Sequence, residues 1–255
     1  MVSVTGSFRR SAHTRSVPVL LFCVLTVLST SAWGYSFTLS AREWSSWPAY
    51  CKAKYVITSI GQRSQFARQV PASEVKKWEE KLGHTLWPPI HHGCAAMVWI
   101  NRAERASDSH TREVAIRSTI GESDYTFRYL SRDNFLHAKL SSLVARAHDL
   151  RGQKTKAREM IRQLIKTNPE HVDLYTVLSK FYFDDGNFSG AKTLLTNGME
   201  HVAKPSAELH YFLGLVLIRL GEHGAAVVQA KEAMRLGYPL PGLKRNLLAS
   251  GHWRD

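Results

Sequence analysis

Cysteine is scarce: the chain holds three, Cys23, Cys51 and Cys94, and none belongs to a Cys-x-x-Cys pair. That excludes the thioredoxin type of redox motif. No Gly-x-Ser-x-Gly elbow, Gly-x-x-x-x-Gly-Lys loop, His-Glu-x-x-His or Cys-x-x-Cys-His occurs either. Nucleophile-elbow, phosphate-cradle, zinc-protease and haem-attachment chemistry therefore have no support in the sequence. Acidic residues are few, 21 against 34 lysines and arginines, and the net charge is +13. A basic balance favours an anionic partner. Yet no run of five basic residues occurs and no basic-aromatic interleaving appears, so specific nucleic-acid recognition is not expected.

Long hydrophobic runs are also missing. The most apolar stretch, Val17 to Leu28, covers about twelve residues, short of the roughly 20 that a membrane-spanning helix needs. It follows Arg9, Arg10 and Arg15 and precedes Ala32-Trp33-Gly34, with no acidic residue before it. That order is the layout of an export signal, so residues 1–34 are expected to be a signal peptide cleaved after Gly34. The destination is the bacterial periplasm, with an uncleaved inner-membrane anchor facing the periplasm as the alternative. Cleavage would remove Cys23 and leave Cys51 and Cys94, which in an oxidising compartment most simply form one disulfide. Closing a loop of about 44 residues stabilises by roughly 4 kcal/mol on the chain-entropy account.

What the chain has in quantity is helical periodicity. Hydrophobic residues make up 44%, enough for a core. In the second half Gly152, Gly186 and Gly221 recur at offsets of 34 and 35 residues, each followed five residues later by Ala157, Ala191 or Ala226. Ile161, Leu195 and Ala230 stand four residues beyond those alanines, and Pro169 and Pro205 close the first two units. Self-similarity at this period marks stacked helix pairs. Glycine suits the turn inside each pair, and one pair cannot bury its apolar stripe without the next.

The pattern Leu213-Gly214-x-x-Leu217, Gly221, Ala226, Ala230, Ala233 is similar to the tetratricopeptide repeat family, which places Leu-Gly-x-x-Tyr on one helix and Ala-x-x-x-Phe on the next. The resemblance covers about 100 residues, with units at 138–171, 172–206 and 207–240. Val144-Ala145 replaces Leu-Gly in the first unit, and Gly198 replaces a usual alanine in the second. The fold class expected is all-α, a tetratricopeptide-like solenoid of antiparallel helix pairs. Residues 241–255, carrying Leu243, Leu247 and Leu248 after Pro239 and Pro241, are expected to form a C-terminal capping helix.

Upstream, residues 90–137 read as a degenerate helical hairpin. Its helices run from Ile90 to Arg105 and from Thr111 to Arg132, the second striped by Val114, Ile116, Ile120, Tyr125, Phe127 and Leu130. Residues 35–89 form a tryptophan-rich helical extension: Trp44, Trp47, Trp78 and Trp87 all fall within it. Ser40-Ala41-Arg42-Glu43 matches a capping box, and Pro48 opens a helix on which Trp47, Cys51 and Tyr55 share a face. Residues 61–71 read as a polar loop, and Ala72 to Gly83 as a short helix ended by its glycine. The surroundings of Cys51 and of His91-His92-Gly93-Cys94 also resemble a set of exported bacterial repeat proteins, which implies no activity.

Two constellations carry functional readings. His91, His92 and Cys94 suggest a metal or redox site, but adjacent histidines on a helix diverge by about 100°, and ligand sets need convergence. The Cys51, His91, His92, Cys94 reading therefore stands as the alternative function, and no cofactor, metal or catalytic residue is expected. Asp184-Asp185-Gly186-Asn187 lacks the later glutamate of a calcium loop and reads as a turn. The main reading comes from the family resemblance, in which the first helix of each unit lines a groove. Carried onto this chain, the lining positions are Lys139, Ser142, Arg146, Thr176, Lys180, Tyr211, Leu215 and Arg219. Four cations among them suit an extended peptide or protein partner with acidic groups. Ser142 and Arg146 depart from the family's carboxylate clamp, which argues against chaperone tails. The function expected is that of an exported interaction scaffold in the cell envelope, not an enzyme.

Overall fold

Every regular element among the residues described by the computed structural model, Met1 and 37–253, is a helix. The rest of the expected signal segment, Cys23 included, lies outside the described residues. No helix among those described is long and apolar enough to cross a membrane.

The tryptophan-rich extension folds as α1 (Ala41–Ser46), α2 (Ala49–Val56), α3 (Ser59–Gln62) and α4 (Ala72–Leu86). The capping box is closed in both directions: the Glu43 amide donates to Ser40 Oγ and the Ser40 amide to the Glu43 carboxylate. Residues 61–71 are less open than their polarity suggests. Phe66 is buried and stacks on Trp44 with ring centroids 4.5 Å apart. Gly83 takes φ of 70° as expected of a terminator, but the chain resumes a helical turn to Leu86 because Leu86 and Trp87 are drawn into the core.

Four helix pairs follow: α5 (Ile90–Arg105) with α6 (Ser109–Phe127), α7 (Phe135–Leu150) with α8 (Lys154–Thr167), α9 (Val172–Asp184) with α10 (Phe188–His201), and α11 (Ala207–Arg219) with α12 (His223–Arg235). First helices lie side by side along the array, α5 on α7, α7 on α9 and α9 on α11, and each second helix touches the next first helix. Lone pairs would leave an apolar stripe wet, and this stacking removes it. The short α13 (Gly242–Ala249) closes the last pair by packing on α11 and α12 with Leu243 and Leu247 buried.

The repeat period has a local cause. Gly152, Gly186 and Gly221 adopt φ of 79°, 75° and 76°, the left-handed conformation that ends the first helix of each pair. The next amide reaches back across the turn each time: Gln153 to the His148 carbonyl, Asn187 to Tyr182 and Glu222 to Leu217, at 2.8–2.9 Å. Ala157, Ala191 and Ala226 are fully buried where the second helix returns along the first. Gly198, the departure from the family pattern, has a neighbour that explains it. A Cβ there would stand 2.7 Å from the ring of the buried Tyr175.

The hairpin α5–α6 differs from its sequence reading on one face. The side chains that α6 buries are Ala115, Ile116, Thr119, Ser123 and Thr126, whereas Val114 is exposed. Small residues win because the helices lie close: a Cβ on Gly93 of α5 would sit 3.3 Å from Thr126. The buried hydroxyls cost little, since each bonds a carbonyl one turn back in α6.

Candidate functional site

The first helices bring the same repeat positions into register. Lys139, Asp173 and Glu208 are spaced by 34 and 35 residues, the period of the turn glycines, and occupy equivalent places near the starts of α7, α9 and α11. Lys139 Nζ lies 2.6 Å from Asp173 Oδ1 and so ties α7 to α9. Glu208 feels both neighbours. Burial raises its pKa and the Asp173 carboxylate raises it further, against the pull of the Lys139 ammonium and the Thr176 hydroxyl.

Two positions expected to present side chains to a partner do not. Ser142 and Thr176 are buried, and their hydroxyls donate to the carbonyls of Lys139 and Asp173 on their own helices. Their small volume lets adjacent first helices close together.

The charge of this face also differs from expectation. Besides Lys139, Arg146 is paired with Glu104 at 2.8 Å and bonds Asn101 of α5, and Lys180 is paired with Asp184 at 2.6 Å. Three of the four cations thus have carboxylate partners, Asp173 on α9 for Lys139, Glu104 on α5 for Arg146, and Asp184 one turn on in the same helix for Lys180. Arg219 instead lies over the rings of Phe183 and Phe188, 5.2 and 4.6 Å from their centroids. Leu215 is half-buried, and Tyr211 stacks on Tyr238 with centroids 4.3 Å apart. Sequence reasoning passed over Asp173, Glu208 and Tyr238. For the two acids the 34- and 35-residue register with Lys139 was the available signal, and for Tyr238 none was.

At its N-terminal end this face meets the extension. A cleft of about 130 Å³ separates Glu43, Trp47 and Pro48 from Asn101, Lys139 and Arg146. Tyr50 of α2 is buried with its ring 6.3 Å from that of Phe135 at the start of α7, and burial together with the Asp173 charge raises its pKa. The extension is pinned by several bonds. Arg102 of α5 donates to both carboxylate oxygens of Glu43, and Trp47 Nε1 donates to the Cys94 carbonyl at 3.2 Å.

Cys51 and Cys94 are joined as a disulfide with Cα atoms 5.5 Å apart, both residues fully buried, tying α2 to α5. His91 and His92 do not diverge as adjacent helical positions suggest. Their rings lie 4.1 Å apart and continue onto Tyr125 at 3.9 Å, because packing against α6 gathers them into one aromatic stack. Burial, with the neighbouring His92 and Lys54, lowers the His91 pKa to about 4, and its Nδ1 lies 2.9 Å from the Pro88 carbonyl. His92 Nδ1 is 2.5 Å from Glu122. No group of three metal-ligating side chains converges among the described residues. At the turn read against a calcium loop, Asp184 is held by Lys180, and Asp185 by Lys154 and Arg158.

No family model matches the chain, and no curated protein matches it. Among solved structures, MamA MSR-1 is similar at 18% identity over 64% of this chain and 88% of that one, with a TM-score of 0.39. A tetratricopeptide repeat protein from Parabacteroides merdae is similar at 15% identity over 71% and 87%, with a TM-score of 0.40. The chain is a tetratricopeptide-like solenoid. That statement rests on its own helix pairs, turn glycines and register, since superpositions this loose add no weight.

Proposed function

We propose that the chain is an exported scaffold that holds a partner protein in a groove lined by its first helices and catalyses nothing. The observation that carries this reading is the ladder of equivalent positions on α7, α9 and α11, where side chains from three successive repeats meet on one face. A surface repeated at fixed intervals suits an extended segment, which meets the same backbone spacing at each step. With three of its four cations already paired, the face offers alternating charges and aromatic rings rather than a basic field, and an acidic partner gains no special advantage.

Export to the periplasm draws support from the arginines and apolar run of the first 34 residues and from a buried disulfide, which persists in oxidising compartments. The N-terminal residue of the protein recovered from cells tests cleavage after Gly34. An intact Met1 on membrane-bound protein would instead make Val17 to Leu28 an anchor.

The groove is tested by capturing envelope proteins with the purified chain, with a Lys180→Glu/Arg219→Glu variant, and with a Lys156→Glu/Arg162→Glu control altered on α8. All four positions are exposed. Loss of a captured protein with the first variant alone supports the groove. Equal capture by all three removes it.

A further inference from the structure

The stacking that dries the repeats stops short at α13. Like each first helix before it, α13 packs on both helices of the preceding pair, here α11 and α12. It has 8 residues where α7, α9 and α11 have 16, 13 and 13, because Gly251 turns the chain at φ of 73° and the His252 amide reaches back to the Leu247 carbonyl. The shortfall shows in the side chains. Among the described residues, 136–222 leave no large hydrophobic side chain exposed, whereas Met234, Leu240 and Leu248 are 48%, 56% and 49% exposed. Met234 and Leu240 line a slot of about 140 Å³, walled by Tyr211 and Tyr238 stacked on each other. An apolar cavity of about 150 Å³ accommodates one benzene ring, so the slot has room for a single large side chain.

The surroundings of this apolar surface are basic. Lys244 lines the slot, and Lys244 and Arg245 stand four and three residues before Leu248, on its face of α13. Lys244 and Lys231 lie over the Trp253 ring, 4.8 and 5.5 Å from its centroid, a contact that positions an ammonium without cancelling its charge. Residues 223–253 carry four lysines and arginines against one acid, Glu232, which Arg235 holds. A second copy of the chain is a poor complement. Tail to tail it would oppose like charges, and the tryptophan-rich extension carries eight lysines and arginines against four acids over 37–89. An acidic partner is the complement.

We infer that the α12–α13 end docks an acidic amphipathic helix of a partner protein. One large apolar side chain of that helix enters the slot, its neighbours on the stripe cover Leu248, and flanking glutamates or aspartates meet Lys244 and Arg245. The partner helix extends along the array where a first helix of full length would lie on α11 and α12. This surface goes beyond the first-helix groove and touches it only at Tyr211.

The test uses the purified full chain and three fluorescent peptides of about 18 residues, or about five helical turns, read by anisotropy. The first has a leucine stripe at helical spacing flanked by glutamates, the second has lysines in place of the glutamates, and the third is a scramble of the first with no stripe. The first is expected to bind at least about tenfold more tightly than either of the others; the scramble, equal in charge, removes general attraction to a basic protein. Lys244→Glu/Arg245→Glu is expected to lose that tenfold for the acidic peptide, and Met234→Ser/Leu240→Ser to abolish the advantage of stripe over scramble. Unchanged circular dichroism and urea midpoints establish that the variants fold. If Lys244→Glu loosens Trp253, Arg245→Glu alone is read, and a loss of about threefold is expected. Equal binding of the three peptides, preference for the lysine peptide, or no binding at ~1 mM overturns the inference. So does a concentration-dependent dimer abolished by Leu240→Glu, which gives the surface to a second copy. Lys180→Glu/Arg219→Glu is expected to bind the acidic peptide as the native chain does; loss there assigns the peptide to the groove and overturns this surface while leaving the scaffold reading in place.

Discussion

Glu43 and Glu208 show how neighbours decide the sign of a buried carboxylate. At Glu43 burial pulls the pKa up, but hydrogen bonds from Arg102 and Ser40 outweigh it and lower the value from 4.5 to about 2. The stability it contributes is full above 4.5 and is lost as pH falls toward 2. Glu43→Gln is expected to cost about 2 kcal/mol at neutral pH and to flatten the acid limb of stability against pH, measured by urea denaturation across that window. Glu208 has the opposite sign, because burial and Asp173 raise its pKa. Ionising it costs stability, so its contribution declines as pH rises from the ordinary carboxylate range through the elevated value. Glu208→Gln is expected to remove that decline, and a denaturation midpoint that still falls over the same range would contradict the assignment. The Ser40-to-Glu43 box was legible because its partners are three residues apart. Arg102, 59 residues beyond Glu43, was not, since no local pattern announces a long-range ion pair.

Among the elements, the turn glycines were legible and the buried face of α6 was not, for one physical reason. A left-handed turn demands glycine whatever surrounds it, so the period at Gly152, Gly186 and Gly221 survives in the sequence. The inward side of α6 is instead chosen by how closely α5 approaches, and α5 carries Gly93 at the contact. Threonine and serine there satisfy their hydroxyls within the helix, which makes a buried face look polar on paper. The eight lining positions inferred from the repeat divide similarly. Register placed Lys139, Arg146, Lys180 and Arg219 on the first helices, but neighbouring elements supply the carboxylates or rings that hold Lys139, Arg146 and Arg219, while Lys180 is held by Asp184 one turn on in α9 itself. Gly186→Ala forces a Cβ into φ of 75° and is expected to lower stability by about 1–2 kcal/mol, with the helices intact by circular dichroism. An unchanged urea midpoint would mean that the turn is not held as described.

Across residues 37–253, stacking joins marginal helix pairs to one another, with the tryptophan-rich extension packed on the first pair and α13 on the last. The Cys51–Cys94 bond spans 43 residues and fixes the extension to α5. Replacing both cysteines with alanine is expected to cost roughly 4 kcal/mol on the chain-entropy account, read as a lower denaturation midpoint. A midpoint unmoved by the double replacement would show that aromatic packing alone holds the extension. The central claim is that partners meet the first helices rather than the second. A photo-crosslinking residue placed at Leu215 on α11, and separately at Arg162 on α8, tests it inside cells. The account predicts a discrete crosslinked partner from position 215 and none from position 162; crosslinks from 162 alone, or the same ones from both, would contradict it.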